Sequence, residues 1–245
     1  MLRKSLRLLP VLALAVVPCR AATIFADSTF TLSNYTQTLY TNNTATAGAT
    51  YSVTQNTGFG NPAPSLQFDV SWTVNTTFTI FDGLINSNFT YNPSTAAIST
   101  IDFSLDRYVT FTSGTVILSN ALANALLEQG GNFYSDSITG PAFSEGTWQT
   151  VSAAGLTASS FCLYSFTTNI LDCTQHPDFS TAGGAISFGF RTGLGHSNAL
   201  GTGTYDNFSD NLSFTVTAVP EPGAYGLVAA GLAGLWFLRR RRARS

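Results

Sequence analysis

Three stretches of the chain alternate apolar and polar residues with a period of two. In SLQFDVSWTV, residues 65–74, Leu66, Phe68, Val70, Trp72 and Val74 fall on one side, and Gln67, Asp69, Ser71 and Thr73 on the other. AISFGF sets Ile186, Phe188 and Phe190 on one side, and NLSFTV does the same with Leu212, Phe214 and Val216. Successive side chains of a strand point to opposite faces, so each stretch reads as a strand with one buried face. Weaker runs predict strands over 50–54, 77–81, 98–105, 108–111, 147–151 and 161–166, with Gly, Pro, Asn and Ser clusters between them. About ten such strands predict an all-β fold, a two-sheet antiparallel sandwich built as one domain. One segment is ambiguous. LSNALANALLEQGG, residues 118–131, reads as a short helix capped by Ser119 or Asn120, burying Leu122, Leu126 and Leu127 and stopped by Gly130. A strand ending at Gly130 competes; the helix is the expectation.

The two ends follow another pattern. The first 22 residues join a basic start (Arg3, Lys4, Arg7) to an apolar run over 8–17 and small residues at Ala21 and Ala22. That is the build of a secretory signal peptide. Cys19 invites a lipoprotein reading, which Pro18 directly before it disfavours. At the other end, Val219, Pro220, Glu221 and Pro222 precede an apolar run over 224–238, followed by Arg239, Arg240, Arg241 and Arg242. Fifteen residues span roughly 22 Å as a helix, against a bilayer core of about 30 Å, a short membrane span that arginine side chains can lengthen. Arginines behind a membrane segment stay in the cytoplasm, which leaves the body outside the inner membrane. The expected division is 1–22 signal peptide, 23–218 exported sandwich and 219–245 sorting and anchor segment, with a signal helix and a transmembrane helix flanking the sandwich.

This three-part tail strongly resembles the PEP-CTERM sorting signal of Gram-negative bacteria. The resemblance implies recognition by an exosortase, cleavage near Pro-Glu-Pro, and transfer to the cell surface or extracellular matrix in connection with exopolysaccharide and biofilm.

Charge refines the picture. Charged residues make up 10% of the chain, and Thr, Ser, Asn and Gly take their place. Between Ala22 and Ala218 the only cations among Lys and Arg are Arg107 and Arg191, against twelve acidic residues, a formal charge of −10. Such a body repels phosphate backbones, so nucleic acid is excluded as a partner, while its carboxylates suit calcium. Cys162 and Cys173 in an oxidising compartment predict a disulfide, two free thiols being the alternative.

Candidate chemistry is sparse. His176 and His196 have no second histidine at metal-ligand spacing, no Gly-x-Ser-x-Gly elbow is present, and the glycine-rich stretch 183–203 reads as loop. Asp102 and Asp106 are the nearest pair of carboxylates, with exposure or pairing to Arg107 as their simpler roles. No catalytic residue is expected. FADSTFTLSNYT, GFGNPAPSLQF, GTWQTVS and TYDNFSDNLSFTV together look similar to jelly-roll carbohydrate-binding, galactose-binding-like domains. In those domains the first and last strands lie side by side and an Asp leading the last strand helps hold a structural calcium. By position that Asp is Asp206, with Asp27 as its partner; otherwise Asp206 and Asn207 cap a turn. Tyr35, Tyr40, Tyr51, Tyr91, Tyr134 and Trp148 are possible sugar platforms, with core packing as the competing role of each. The expected function is a non-catalytic envelope or matrix protein, associated with exopolysaccharide and carbohydrate binding; a secreted hydrolase acting on polysaccharide or protein is the rival.

Overall fold

Among the described residues the alternating stretches and their neighbours form thirteen strands. They are β1 (Ala22–Asp27), β2 (Tyr35–Asn42), β3 (Thr50–Asn56), β4 (Ser65–Trp72), β5 (Phe78–Tyr91), β6 (Ile98–Thr112), β7 (Asn120–Gln129), β8 (Asn132–Asp136), β9 (Gln149–Leu156), β10 (Phe161–Ser165), β11 (Ile170–Asp172), β12 (Ile186–His196) and β13 (Gly203–Ala218). A single-turn helix, α1 (Thr44–Ala47), joins β2 to β3. The computed structural model describes residues 22–112, 120–136, 144–196 and 201–219, together with Gly231. Residues 1–21, 220–230 and 232–245 lie outside that description, and so, but for Ala22 and Gly231, do the expected signal and transmembrane helices. Among the described residues no helix is long and apolar enough to cross a membrane.

Two antiparallel sheets result. Sheet A runs β3-β4-β13-β6-β9, with β1 beside the second half of β13; sheet B runs β11-β10-β8-β7-β12-β5-β2. The first strand of the body therefore lies against the last, from Ala22 opposite Thr217 to Asp27 opposite Leu212. On its other side β13 pairs with β6 from Thr204 to Ala218.

The apolar faces of both sheets meet in the core. Phe103, Leu105, Leu212, Phe214 and Val216 of sheet A pack with Leu84, Leu127, Phe161, Phe188 and Phe190 of sheet B. A second cluster gathers Phe68, Val70, Trp72, Val109 and Tyr205 with Phe78, Ile80 and Leu194. Between the two clusters runs a buried polar layer. It holds Asp82 and Thr192 from sheet B, and Arg107, Asn207 and Ser209 from sheet A. Within this layer Asn207 Nδ2 donates from sheet A to Thr192 Oγ1 of sheet B at 2.6 Å.

Three expectations change. The segment 118–131 is not a helix but contains β7, paired with β12 on one side and β8 on the other. Leu126 and Leu127 point to opposite faces and both are buried, because the outer face of sheet B is covered as well. A strand buried on both faces has no alternation to read. The glycine-rich stretch is not all loop, since β12 runs through it to His196. A Cβ at Gly189 would collide with the Leu84 carbonyl, and one at Gly83 with the Phe166 ring. Glycine here lets strands and a covering aromatic approach closely. The predicted strands at 98–105 and 108–111 are one strand, β6, continuous through Arg107.

The cysteines form the Cys162–Cys173 disulfide, with a sequence separation of 11 residues. The bond joins the start of β10 to the residue after β11 and ties down that short hairpin.

Both arginines of the body are buried, Arg107 at 3% and Arg191 at 5% exposure. Arg191 lies on the outer side of sheet B, its guanidinium 4.1 Å from the Tyr164 ring centroid. Stacking on a ring holds a desolvated cation without water. The native body should therefore resist trypsin, while urea with a reductant should open cleavage after Arg107 and Arg191 only. Rapid tryptic cutting of the native body, followed by gel electrophoresis, would contradict the burial of these two side chains.

Candidate functional site

The outward side chains of sheet A make the most developed surface of the molecule. Along β13 the inward residues are Tyr205, Asn207 and Ser209, so Asp206, Phe208 and Asp210 take the other side. The register then sets rows across the sheet. Asp206 stands opposite Asp69 of β4 and Thr110 of β6; Phe208 stands opposite Gln67 and Tyr108; Asp210 stands opposite Asp106.

The first row is a carboxyl pair. Asp69 and Asp206 hydrogen-bond each other, and Thr110 Oγ1 donates to Asp206 Oδ2 at 3.4 Å. Gln67 Nε2 donates to Asp69 Oδ1 at 2.6 Å, and Ser52 Oγ to Asp69 Oδ2 at 3.5 Å. Burial and then the neighbouring Asp69 push Asp206 up to about 6. The pair floors a groove of about 210 Å³, with Thr50, Tyr51, Ser71 and Thr204 along its sides.

The second row is aromatic. Phe59, from the loop after β3, packs on Tyr108 and Phe208 with ring centroids 4.9 and 4.7 Å away, and stacks with Trp148 at 5.6 Å. All four rings are partly exposed. Phe59 is held there by its own loop, GFGNPAP. The Asn61 N–H donates to Asp210 Oδ2, and Asn61 Nδ2 donates to Asp106 Oδ2 at 3.2 Å.

The third row is that carboxylate cluster. Asp106 also accepts from Asn211 Nδ2 at 2.9 Å and from Thr150 Oγ1 at 2.5 Å. Asp102, four residues back on β6, accepts the Gly155 N–H at 2.7 Å. Arg107 points into the core while Asp106 points out, so the two do not pair.

The proposed calcium ligands are not brought together. Asp27 faces the Leu212 position of β13, six residues from Asp206, which is about 20 Å along a strand. Its carboxylate is already occupied. Oδ1 accepts from the Thr29 and Phe30 N–H groups and the Thr29 hydroxyl; Oδ2 accepts from Tyr35 Oη and Asn86 Nδ2. Burial alone would raise Asp27, but these bonds outweigh it and hold the carboxyl below its ordinary value. Asp27 thus fastens the exit of β1, and the residue facing Asp206 is Asp69. Asp206 and Asn207 lie within β13 and cap no turn.

Of the named aromatics, Trp148 belongs to the aromatic row and Tyr51, 41% exposed, edges the groove. Tyr134 is core, Tyr35 is bonded to Asp27, Tyr91 donates to the Ala96 carbonyl, and Tyr40 stacks on Phe81. The histidines are bound locally: His176 Nδ1 contacts the Phe161 carbonyl at 2.7 Å, and His196 lies between the Thr76 and Gly201 carbonyls. Asp69, Tyr108 and Phe208 carried a signal in the outward positions of their strands. Phe59 carried none, because its place depends on its loop being held by the bond from the Asn61 N–H to Asp210, 149 residues further along the chain.

The end of β13 leads directly into the tail. The Val219 N–H donates to the Ala97 carbonyl at 2.7 Å, and Pro220 follows at once. Pro220, Glu221, Pro222 and Arg239 to Arg242 lie outside the described residues. The PEP-CTERM protein-sorting motif matches residues 218–242. The chain is thus an exported, surface-sorted protein that carries the signal for exosortase processing. No curated protein matches the chain.

The carboxyls make stability depend on pH in an unusual direction. Burial raises Asp82 to about 7 and Asp136 to about 6, beside Asp206 at about 6. A carboxyl raised in the folded state binds its proton more tightly there than in the unfolded chain, so its contribution is lost as pH rises through the folded value. The melting temperature should therefore fall by several degrees from about pH 5 to about pH 8, and Asp82→Asn should flatten much of that fall. A melting temperature that climbs over this window would refute the assignment.

Proposed function

We propose that the exported body is a non-catalytic envelope or matrix protein that binds neutral polysaccharide through the outer face of sheet A. The observation that carries this reading is the partly exposed aromatic row of Phe59, Tyr108, Trp148 and Phe208 beside the groove floored by Asp69 and Asp206 on the outer face of sheet A. Aromatic rings stack on the apolar faces of sugar rings, and carboxylates, amides and hydroxyls accept and donate to sugar hydroxyls. Surface sorting delivers the body to where polysaccharide is found. The formal charge of −10 disfavours acidic glycans, which leaves neutral ones. In this reading the tail holds the body at the inner membrane until exosortase releases it to the surface or the matrix.

The rival reading is a secreted hydrolase using Asp69 and Asp206. Paired glycosidase carboxyls stand about 5 Å or more apart, with separate acid and nucleophile or base roles. Asp69 and Asp206 are direct register partners in contact with each other, closer than that spacing, which disfavours glycoside cleavage.

Binding of neutral glucans or galactans at millimolar concentration or below is expected in affinity electrophoresis. Trp148→Ala should weaken it about tenfold, the loss of one stacked ring. Absence of binding to every neutral glycan at millimolar levels would leave a purely structural role. For the processing route, mass spectrometry of the surface-released protein should find its C-terminus at or near Val219–Pro222. A surface protein whose chain still ends at Ser245 would exclude cleavage of the tail.

A further inference from the structure

The polar layer inside the core holds a reactive pair of groups. Thr192 Oγ1, on β12 between β7 and β5 of sheet B, lies 2.6 Å from Asn207 Nδ2, on β13 between β4 and β6 of sheet A. The amide carbon is one C–N bond of about 1.33 Å further on, so it lies within about 4 Å of the hydroxyl oxygen. The Nδ2–H points at the hydroxyl oxygen, and a turn of the carboxamide about its own bond would present the carbon to that oxygen at the short range a condensation needs. Both residues are buried, Thr192 at 0% and Asn207 at 1% exposure. Asn207 Oδ1 has no hydrogen-bond partner, and neither does Asp82 Oδ1. Asp82 is the register partner of Thr192 across β5 and β12, so the two side chains leave the sheet on the same side. Gln37 Nε2 holds the other oxygen of Asp82 at 2.5 Å.

We propose that Thr192 and Asn207 condense into an intramolecular ester that staples sheet A to sheet B. The Thr192 Oγ1–Asn207 Cγ bond forms, the Cγ–Nδ2 bond breaks, and ammonia leaves. Asp82 as a carboxylate takes the hydroxyl proton and returns it to the departing nitrogen, so no oxidant, metal or cofactor enters the balance. Burial places the carboxyl at about 7, where it can both accept and donate a proton near neutrality. Asp82, Thr192 and Asn207 are shut off from bulk solvent, which protects the ester once formed. The body contains no lysine, so a lysine-derived amide staple is not open to it. This inference stands whether or not the outer face binds glycans.

The test is the mass of the protein recovered from the cell surface. The stapled protein is about 17 Da, one ammonia, lighter than its disulfide-bonded sequence mass. Chymotrypsin cuts after Leu194 and Tyr205, between the two residues, so a reduced digest should keep the Thr192 and Asn207 peptides joined. Thr192→Val should show the full mass, and Asp82→Asn should accumulate the uncondensed form while retaining the Thr192–Asn207 contact. Wild-type protein at its full mass, or about 1 Da heavier through hydrolysis of Asn207 to aspartate, overturns the proposal. Condensation at an unchanged rate in Asp82→Asn overturns the role given to Asp82.

Discussion

Strand β13 is hydrogen-bonded along both edges, to β4 and β1 on one side and β6 on the other. Every buried N–H and C=O needs a partner, so a sixteen-residue strand in mid-sheet fixes the strands around it. It sets the level at which β1 enters and thereby brings the first described strand against the last. Its alternation also divides the chemistry of the body: Asp206, Phe208 and Asp210 go to the outer face, Tyr205, Asn207 and Ser209 to the core. The proposed glycan face and the proposed inter-sheet staple lie on two sides of one strand, separated by a single residue step.

The same strand ends where the sorting motif begins. Val219 is still bonded to Ala97, and the next residue is the first proline of Pro-Glu-Pro. Proline has no N–H to give a ladder, so it is a natural terminus for a central strand. Folding of the body and presentation of the motif therefore meet at one peptide bond. A peptidase acting near the motif works beside a strand whose N–H and C=O groups are held by its neighbours.

Legibility in the sequence followed exposure. β4 alternates visibly because one of its faces is buried and the other looks out, and the pattern at 65–74 matches Ser65–Trp72 closely. The same holds for Leu212, Phe214 and Val216. β7 and the far half of β12 were not legible, since both of their faces are covered and a fully buried strand loses its period. Leu126 meets the space above Gly83 on one side while Leu127 meets the core on the other. Of the candidate site, Trp148, Tyr51 and Asp206 were readable as residue types, but not their companions. Asp69 came opposite Asp206 through strand register, and Phe59 joined the aromatic row through a loop anchored on Asp210. Pairing across sheets and loops has no local signature, which is why Asp27 was matched to Asp206.

The charge pattern joins these parts into one physical argument. A body with ten excess negative charges gains nothing from exposed arginine partners, because its two arginines lie inside. Its carboxyls are instead held by neutral donors: Thr, Asn, Gln and backbone N–H groups satisfy Asp27, Asp69, Asp102, Asp106 and Asp210. Bonds from neutral donors are weaker than ion pairs but are not screened by salt as surface ion pairs are. They also fix carboxylates in place without neutralising them, which is what a surface needs to present oxygen acceptors to sugar hydroxyls. The abundance of Thr, Asn and Ser that first marked this chain is thus the donor supply for its acids. The scarcity of Lys and Arg leaves the outer face free of cations that would compete for the same carboxylates.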